Sequence, residues 1–153
     1  MKYTDFTVAM GIPIADTNLL HLIGEQSDDD DELPKPEGLT YYIFRRTGVE
    51  IIARGASRNV STVILYGPEY ATNYDVFLGE LPDSIAFGES ANDIKSKLGP
   101  SDSQVLTDKP GVDERLFLRL RYKRTGHLLD LVFNQHESLF LVRLLAVPQP
   151  ARI

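Results

Sequence analysis

The sequence predicts an α+β domain in which two helix-plus-three-strand repeats form one antiparallel sheet with the helices packed on one face. Two observations carry that prediction. Arg46-Thr47-Gly48 recurs as Arg124-Thr125-Gly126, and around each copy the order is the same: a short amphipathic helix ended by glycine, a loop, then three strand-like runs. The two helix-ending glycines, Gly24 and Gly99, lie at nearly the same offset as the glycines of the two turns, Gly48 and Gly126, and a slightly longer second loop absorbs the difference. At 153 residues the chain suits a single domain over 1–153, long enough to bury ~70% of the surface its unfolded form exposes. The internal repeat spans 11–68 and 85–148, with a linker over 69–84.

The first helix is read over Asp16 to Leu22, with Asp16 or Thr17 as N-cap, Gly24 as the stop, and Leu19, Leu20, Leu22 and Ile23 on one side. The segment Glu25 to Gly38 holds five consecutive acids, Asp28, Asp29, Asp30, Asp31 and Glu32, followed by Pro34 and Pro36. Charge repulsion and proline make it a loop. Leu39 to Arg45, Val49 to Arg54 and Val60 to Tyr66 are rich in aromatic and β-branched residues and read as a three-stranded meander, with Arg46-Thr47-Gly48 as its first turn. A loop carrying Tyr70 and Tyr74 then leads to the bridging segment Val76 to Pro82.

In the second unit Ser90 caps a helix with Asp93 three residues on. Ile94 and Leu98 form its apolar stripe, and Gly99-Pro100 ends it. A polar loop runs to Glu114. Arg115 to Tyr122, Leu128 to Phe133 and Leu139 to Val147 make the second meander, turning at Lys123 to Gly126 and at Asn134 to Glu137.

Strand periodicity then sorts the side chains. Along Arg115 to Tyr122, Leu116, Leu118, Leu120 and Tyr122 point to the core, while Arg115, Phe117, Arg119 and Arg121 point away. Asp130 and Arg143 fall on the two following strands. Phe117, Arg119, Arg121, Asp130 and Arg143 are therefore expected to gather on the face that the helices leave open, as arginine with aromatic neighbours does at protein interfaces. The competing expectation is an ordinary solvated face on which Asp130 forms an exposed pair worth ~0–1 kcal/mol.

Net charge is −6, but residues 1–110 carry 9 Lys/Arg against 18 Asp/Glu and residues 111–153 carry 7 against 4. The acidic part argues against a nucleic-acid partner and for a basic protein, to which Asp28 to Glu32 would offer an electrostatic lure. There is no cysteine, which removes thiol chemistry and suits a reducing compartment. No apolar run of about 18 residues is present, so no membrane-crossing helix is expected. The N-terminus lacks the basic and then apolar regions of an export signal, so the expected location is the cytoplasm.

His21, His127 and His136 do not stand at metal-ligand spacing, and the acidic run lacks the alternating ligands and central glycine of a calcium loop. Neither phosphate-cradling glycine pattern occurs, and no serine lies in a Gly-x-Ser-x-Gly turn. No catalytic residue, metal or cofactor is expected. Glu80 with Asp83 and Glu89 with Asp93 read as turn and cap residues.

The passage Phe77 to Gly88, Phe-Leu-Gly-Glu-Leu-Pro-Asp-Ser-Ile-Ala-Phe-Gly, followed by Ser90 to Gly99-Pro100, resembles bacterial proteins of toxin-immunity type. The repeated helix-plus-strands layout is similar to the beta-lactamase inhibitor protein fold and, one repeat at a time, to small outer-membrane-assembly lipoproteins. Those lipoproteins carry an export signal and a lipidated cysteine, and the inhibitor is disulfide-bonded; this chain has no cysteine. The resemblance implies a non-catalytic cytoplasmic immunity protein that occludes the active site of a cognate toxin. The alternatives are a small-molecule-binding or enzymatic α+β domain using Tyr41, Tyr70 or Tyr74 in a concave site, and a structural adaptor subunit.

Overall fold

A computed structural model describes residues 1–27, 37–68, 73–108 and 116–147. The expected acidic loop, Asp28 to Glu32, lies outside the described residues, as do Tyr70 and Arg115. Among those described, seven strands form a single antiparallel sheet: β1 (Leu39–Phe44), β2 (Val49–Arg54), β3 (Asn59–Tyr66), β4 (Ser103–Asp108), β5 (Leu116–Arg124), β6 (His127–Phe133) and β7 (Leu139–Ala146). Their order is β1-β2-β3-β7-β6-β5-β4. The two meanders thus meet along their last strands, where Thr62 opposes Leu145 and Tyr66 opposes Leu141.

Three helices, α1 (Tyr3–Thr7), α2 (Leu19–Ile23) and α3 (Ala91–Leu98), pack on one face of this sheet. Phe6 and Ala9 from the N-terminal segment, Leu19 and Ile23 from α2, and Ala91 and Ile94 from α3 share one buried cluster with Val49, Ile51, Val63, Leu120, Leu131 and Val142. The pattern along β2 shows why these strands form. Val49, Ile51 and Ala53 are buried while Glu50 and Ile52 between them are half-buried, so period-two alternation places one row under the helices.

The two halves differ. Ser103–Asp108, expected as part of a polar loop, forms β4 and pairs with β5 from Ser103↔Arg121 to Asp108↔Leu116. Its only apolar residues, Val105 and Leu106, are adjacent rather than alternating, and both are exposed. An edge strand covered on neither side lacks the periodicity from which a buried strand is read. The N-terminal helix α1 was also not expected. It is short and held by one buried side chain, Phe6, which meets Phe77 edge-on at 5.8 Å between ring centroids.

The first expected helix begins later than its pattern suggests. Ile14–Asp16 is a separate 3-10 turn, Asn18 is the N-cap of α2, and Leu20 and Leu22 are exposed rather than part of the buried stripe. Gly24 ends it in the left-handed conformation. In α3 the Ser90 hydroxyl accepts from the Asp93 N–H at 3.2 Å. Ser90→Ala should cost about 1 kcal/mol in urea unfolding, the worth of an N-cap, and an unchanged midpoint would remove that role.

Behind α1, Tyr3 hydrogen-bonds the buried His127 of β6. The ring's Nδ1–H donates to the Thr125 carbonyl at 3.2 Å, so Nε2 is the acceptor for the Tyr3 hydroxyl. Burial pushes the Tyr3 phenol up to about 12, and burial lowers His127, keeping the imidazole neutral. The pair ties the N-terminal segment to the second meander.

Candidate functional site

The second face of the sheet carries no helix among the described residues. Its own apolar cluster consists of Tyr66, Phe140 and Leu141, with Ile64, Tyr74, Phe117 and Val132 packed against them. Register places one row directly across five strands: Arg121 opposes Asp130, Asp130 opposes Arg143, Arg143 opposes Ile64, and Ile64 opposes Glu50. The expected residues Arg121, Asp130 and Arg143 are brought together. Arg119 and Phe117 stand one and two steps further along the same face of β5.

Asp130 is the centre of this arrangement. Arg121 holds it through two parallel bonds, Nε to Oδ1 at 2.6 Å and Nη2 to Oδ2 at 2.9 Å, while Arg143 Nη2 donates to Oδ2 at 2.9 Å. Its side chain is 0% exposed and both arginines are 30% exposed, so the arginines themselves shield it. The expectation of a solvated pair is therefore corrected. Burial opposes ionisation of Asp130, but hydrogen bonds from Arg121 and Arg143 and their charge outweigh it and hold the carboxyl below the usual carboxylate range.

The cationic side of this cluster exceeds the anionic side. Asp130 answers two guanidiniums, and the third, Arg119, makes no hydrogen bond or ion pair among the described residues. Across from Arg119 the register supplies Val132, and beyond it Leu141. The Nε atoms of Arg119 and Arg143 are both shielded from water and have no partner among the described residues. A desolvated donor left unmade costs about 1–3 kcal/mol.

Aromatic residues flank the cations. Phe117 stacks on Phe140 at 5.6 Å with planes 19° apart, and Tyr66 stacks on Tyr74 at 4.0 Å. Arg45 lies 5.7 Å above the Tyr74 ring. Phe140 reaches this face through a bulge at which the register with β6 skips from Leu139, which opposes Phe133, to Leu141, which opposes Val132. Tyr66 donates to Glu50 Oε2 at 2.9 Å; burial raises the Glu50 carboxyl and moves Tyr66 upward as well.

Sequence reasoning missed Glu50, Tyr66 and Phe140 as members of this face. The alternation in β2 and β3 was a usable signal for the first two, since Glu50 is flanked by the buried Val49 and Ile51. Nothing in the sequence marks the bulge at Phe140.

Elsewhere, a groove of about 300 Å³ is lined by Met1, Arg46, Thr47, Phe77 and Leu78, and another of about 270 Å³ by Asp5, Ile12, Asp16 and Leu22 among others. Tyr41 and Tyr74 line neither groove. Among the described residues no group of three His, Cys, Asp or Glu could hold a metal ion, and no helix is long and apolar enough to cross a membrane.

No family model matches the chain, and no curated protein matches it. Among solved structures it is similar to an extracellular protein containing a SCP domain from Bacillus anthracis str. Ames, with a TM-score of 0.59 at 15% identity, over 95% of this chain and 46% of that one. A cysteine-rich secretory protein from Staphylococcus aureus subsp. aureus Mu50 matches with a TM-score of 0.54 at 16% identity, over 91% of this chain and 45% of that one. This chain thus spans less than half the length of either, and at such identities the likeness is one of fold.

Proposed function

We propose that this chain is a non-catalytic binding protein that inhibits a protein partner by covering it with the helix-free sheet face, the partner being a bacterial toxin domain and the chain its cytoplasmic immunity protein. The single observation that supports this reading most is the Arg121–Asp130–Arg143 cluster, built into the middle of a face that no described helix covers. Arginine and aromatic side chains held in fixed positions lose little entropy on docking and are the usual energetic centres of interfaces. The central carboxylate also favours binding over catalysis: Asp130 is held ionised by two arginines, so it is poorly suited to exchange protons near neutral pH.

The reading is tested by co-expressing the chain with toxin domains encoded beside its gene and scoring growth. Wild-type protein should restore growth and co-purify with one such domain. Thr62→Arg, which sets a long charged side chain on the same face in a row with Leu128 and Leu145, should abolish both while leaving the melting temperature within a few degrees, as surface substitutions do. Equal protection by the variant, or no protection by the wild type against any neighbouring toxin, would overturn the proposal.

A further inference from the structure

We propose that the helix-free face carries a carboxylate-binding subsite over Val132, between Arg119 and Arg143, that receives an Asp or Glu side chain from a protein partner. This deepens, and rests on, the partner-docking reading of the same face.

The sheet contains its own precedent for the chemistry. In one row β5 contributes Arg121, β6 answers with Asp130, and β7 adds Arg143; a carboxylate is gripped by guanidiniums from both neighbouring strands. In the next row β5 again contributes an arginine, Arg119, but β6 answers with Val132. Arg119 holds the same register position in its row as Arg121 does in the other, but it faces a valine instead of an acid. Arg143 serves the internal carboxylate through Nη2 alone, leaving its Nε unpartnered like that of Arg119. Two arginines on the strands either side of β6 therefore keep donors that no carboxylate takes up, and planar guanidiniums match a carboxylate with paired bonds.

The surroundings favour a protein as the source of that anion over a nucleic acid. Leu141 and Val132 border the subsite with apolar surface, as the core of a protein interface does. Phe117 is stacked on Phe140 and Tyr66 on Tyr74, so these rings are occupied with each other rather than standing free to stack a base. The net charge of −6 repels a polyphosphate at long range. A partner attracted by that charge is basic as a whole, and the subsite selects among such partners the one that places an acid over Val132.

The test needs no knowledge of the partner. Arginine Nε–Hε signals of the full chain are followed by NMR while a hexaglutamate peptide is added, with hexalysine and a six-nucleotide oligothymidylate as parallel probes. Hexaglutamate should shift the Arg119 and Arg143 signals saturably, in a way that added salt weakens, and Arg119→Gln should weaken binding about tenfold, the worth of one charge-assisted bond. Signals that stay unmoved, a shift unaltered by Arg119→Gln, or tighter binding of the oligonucleotide would each overturn the subsite. Because the probe is a plain acidic peptide, loss of the toxin reading in the growth experiment leaves this result standing on its own, and the converse also holds.

Discussion

Replacing Gly48 by alanine is expected to destabilise the protein by about 3 kcal/mol or more, while the same change at Gly126 costs about 1 kcal/mol. The two residues end the same Arg-Thr-Gly triplet and both hold a left-handed backbone, with φ of +73° and +81°. Conformational strain is therefore common to both substitutions. Space is not. A Cβ on Gly48 would stand 2.3 Å from the Asp75 carbonyl oxygen and 2.6 Å from the Phe77 nitrogen, whereas one on Gly126 meets nothing within 4 Å. The backbone that blocks Gly48 cannot swing aside cheaply, because Asp75 N–H bonds to the Arg45 carbonyl at 2.7 Å and Phe77 N–H to the Tyr66 carbonyl at 2.9 Å. Chemical denaturation of the two variants side by side checks the difference; equal losses would mean that the linker does not lie over the first turn.

That contrast also shows what the sequence could and could not announce. The triplets look alike, and apolar, aromatic and β-branched runs between turns located six of the strands, including β2 at Val49–Arg54 to the residue. Local chemistry likewise placed the Ser90 cap and the Gly24 stop. What depends on long-range contact was not legible: α1 is held by Phe6 against Phe77, and β4 is drawn into the sheet by β5 rather than by any pattern of its own. The site followed the same division. Alternation along β5 put Phe117, Arg119 and Arg121 on one face, and Asp130 and Arg143 were expected to join them from the two following strands. Whether a given arginine finds an acid depends on strand register, which assigned Asp130 to Arg121 and Val132 to Arg119. Tyr74 joined through a returning segment, and Phe140 through a one-residue bulge.

The second large effect expected is at Asp130. Changing it to asparagine should cost about 2–3 kcal/mol, less than the full penalty of breaking a buried pair because Arg121 and Arg143 keep 30% of their side-chain exposure and regain some hydration. The asparagine oxygen can still accept from one arginine, but both guanidiniums lose the anion, and the amide turns its donors towards the other one. The pH dependence separates this account from a simple packing defect. A carboxyl held low in the folded state stabilises the fold fully above its ordinary value of 3.8, and loses that contribution as pH falls through the depressed folded value. The advantage of wild type over Asp130→Asn should therefore be constant from neutral pH down to about pH 5 and shrink steadily below about pH 4. A difference that persists undiminished in strong acid would show that shape rather than charge at Asp130 holds the three strands in register.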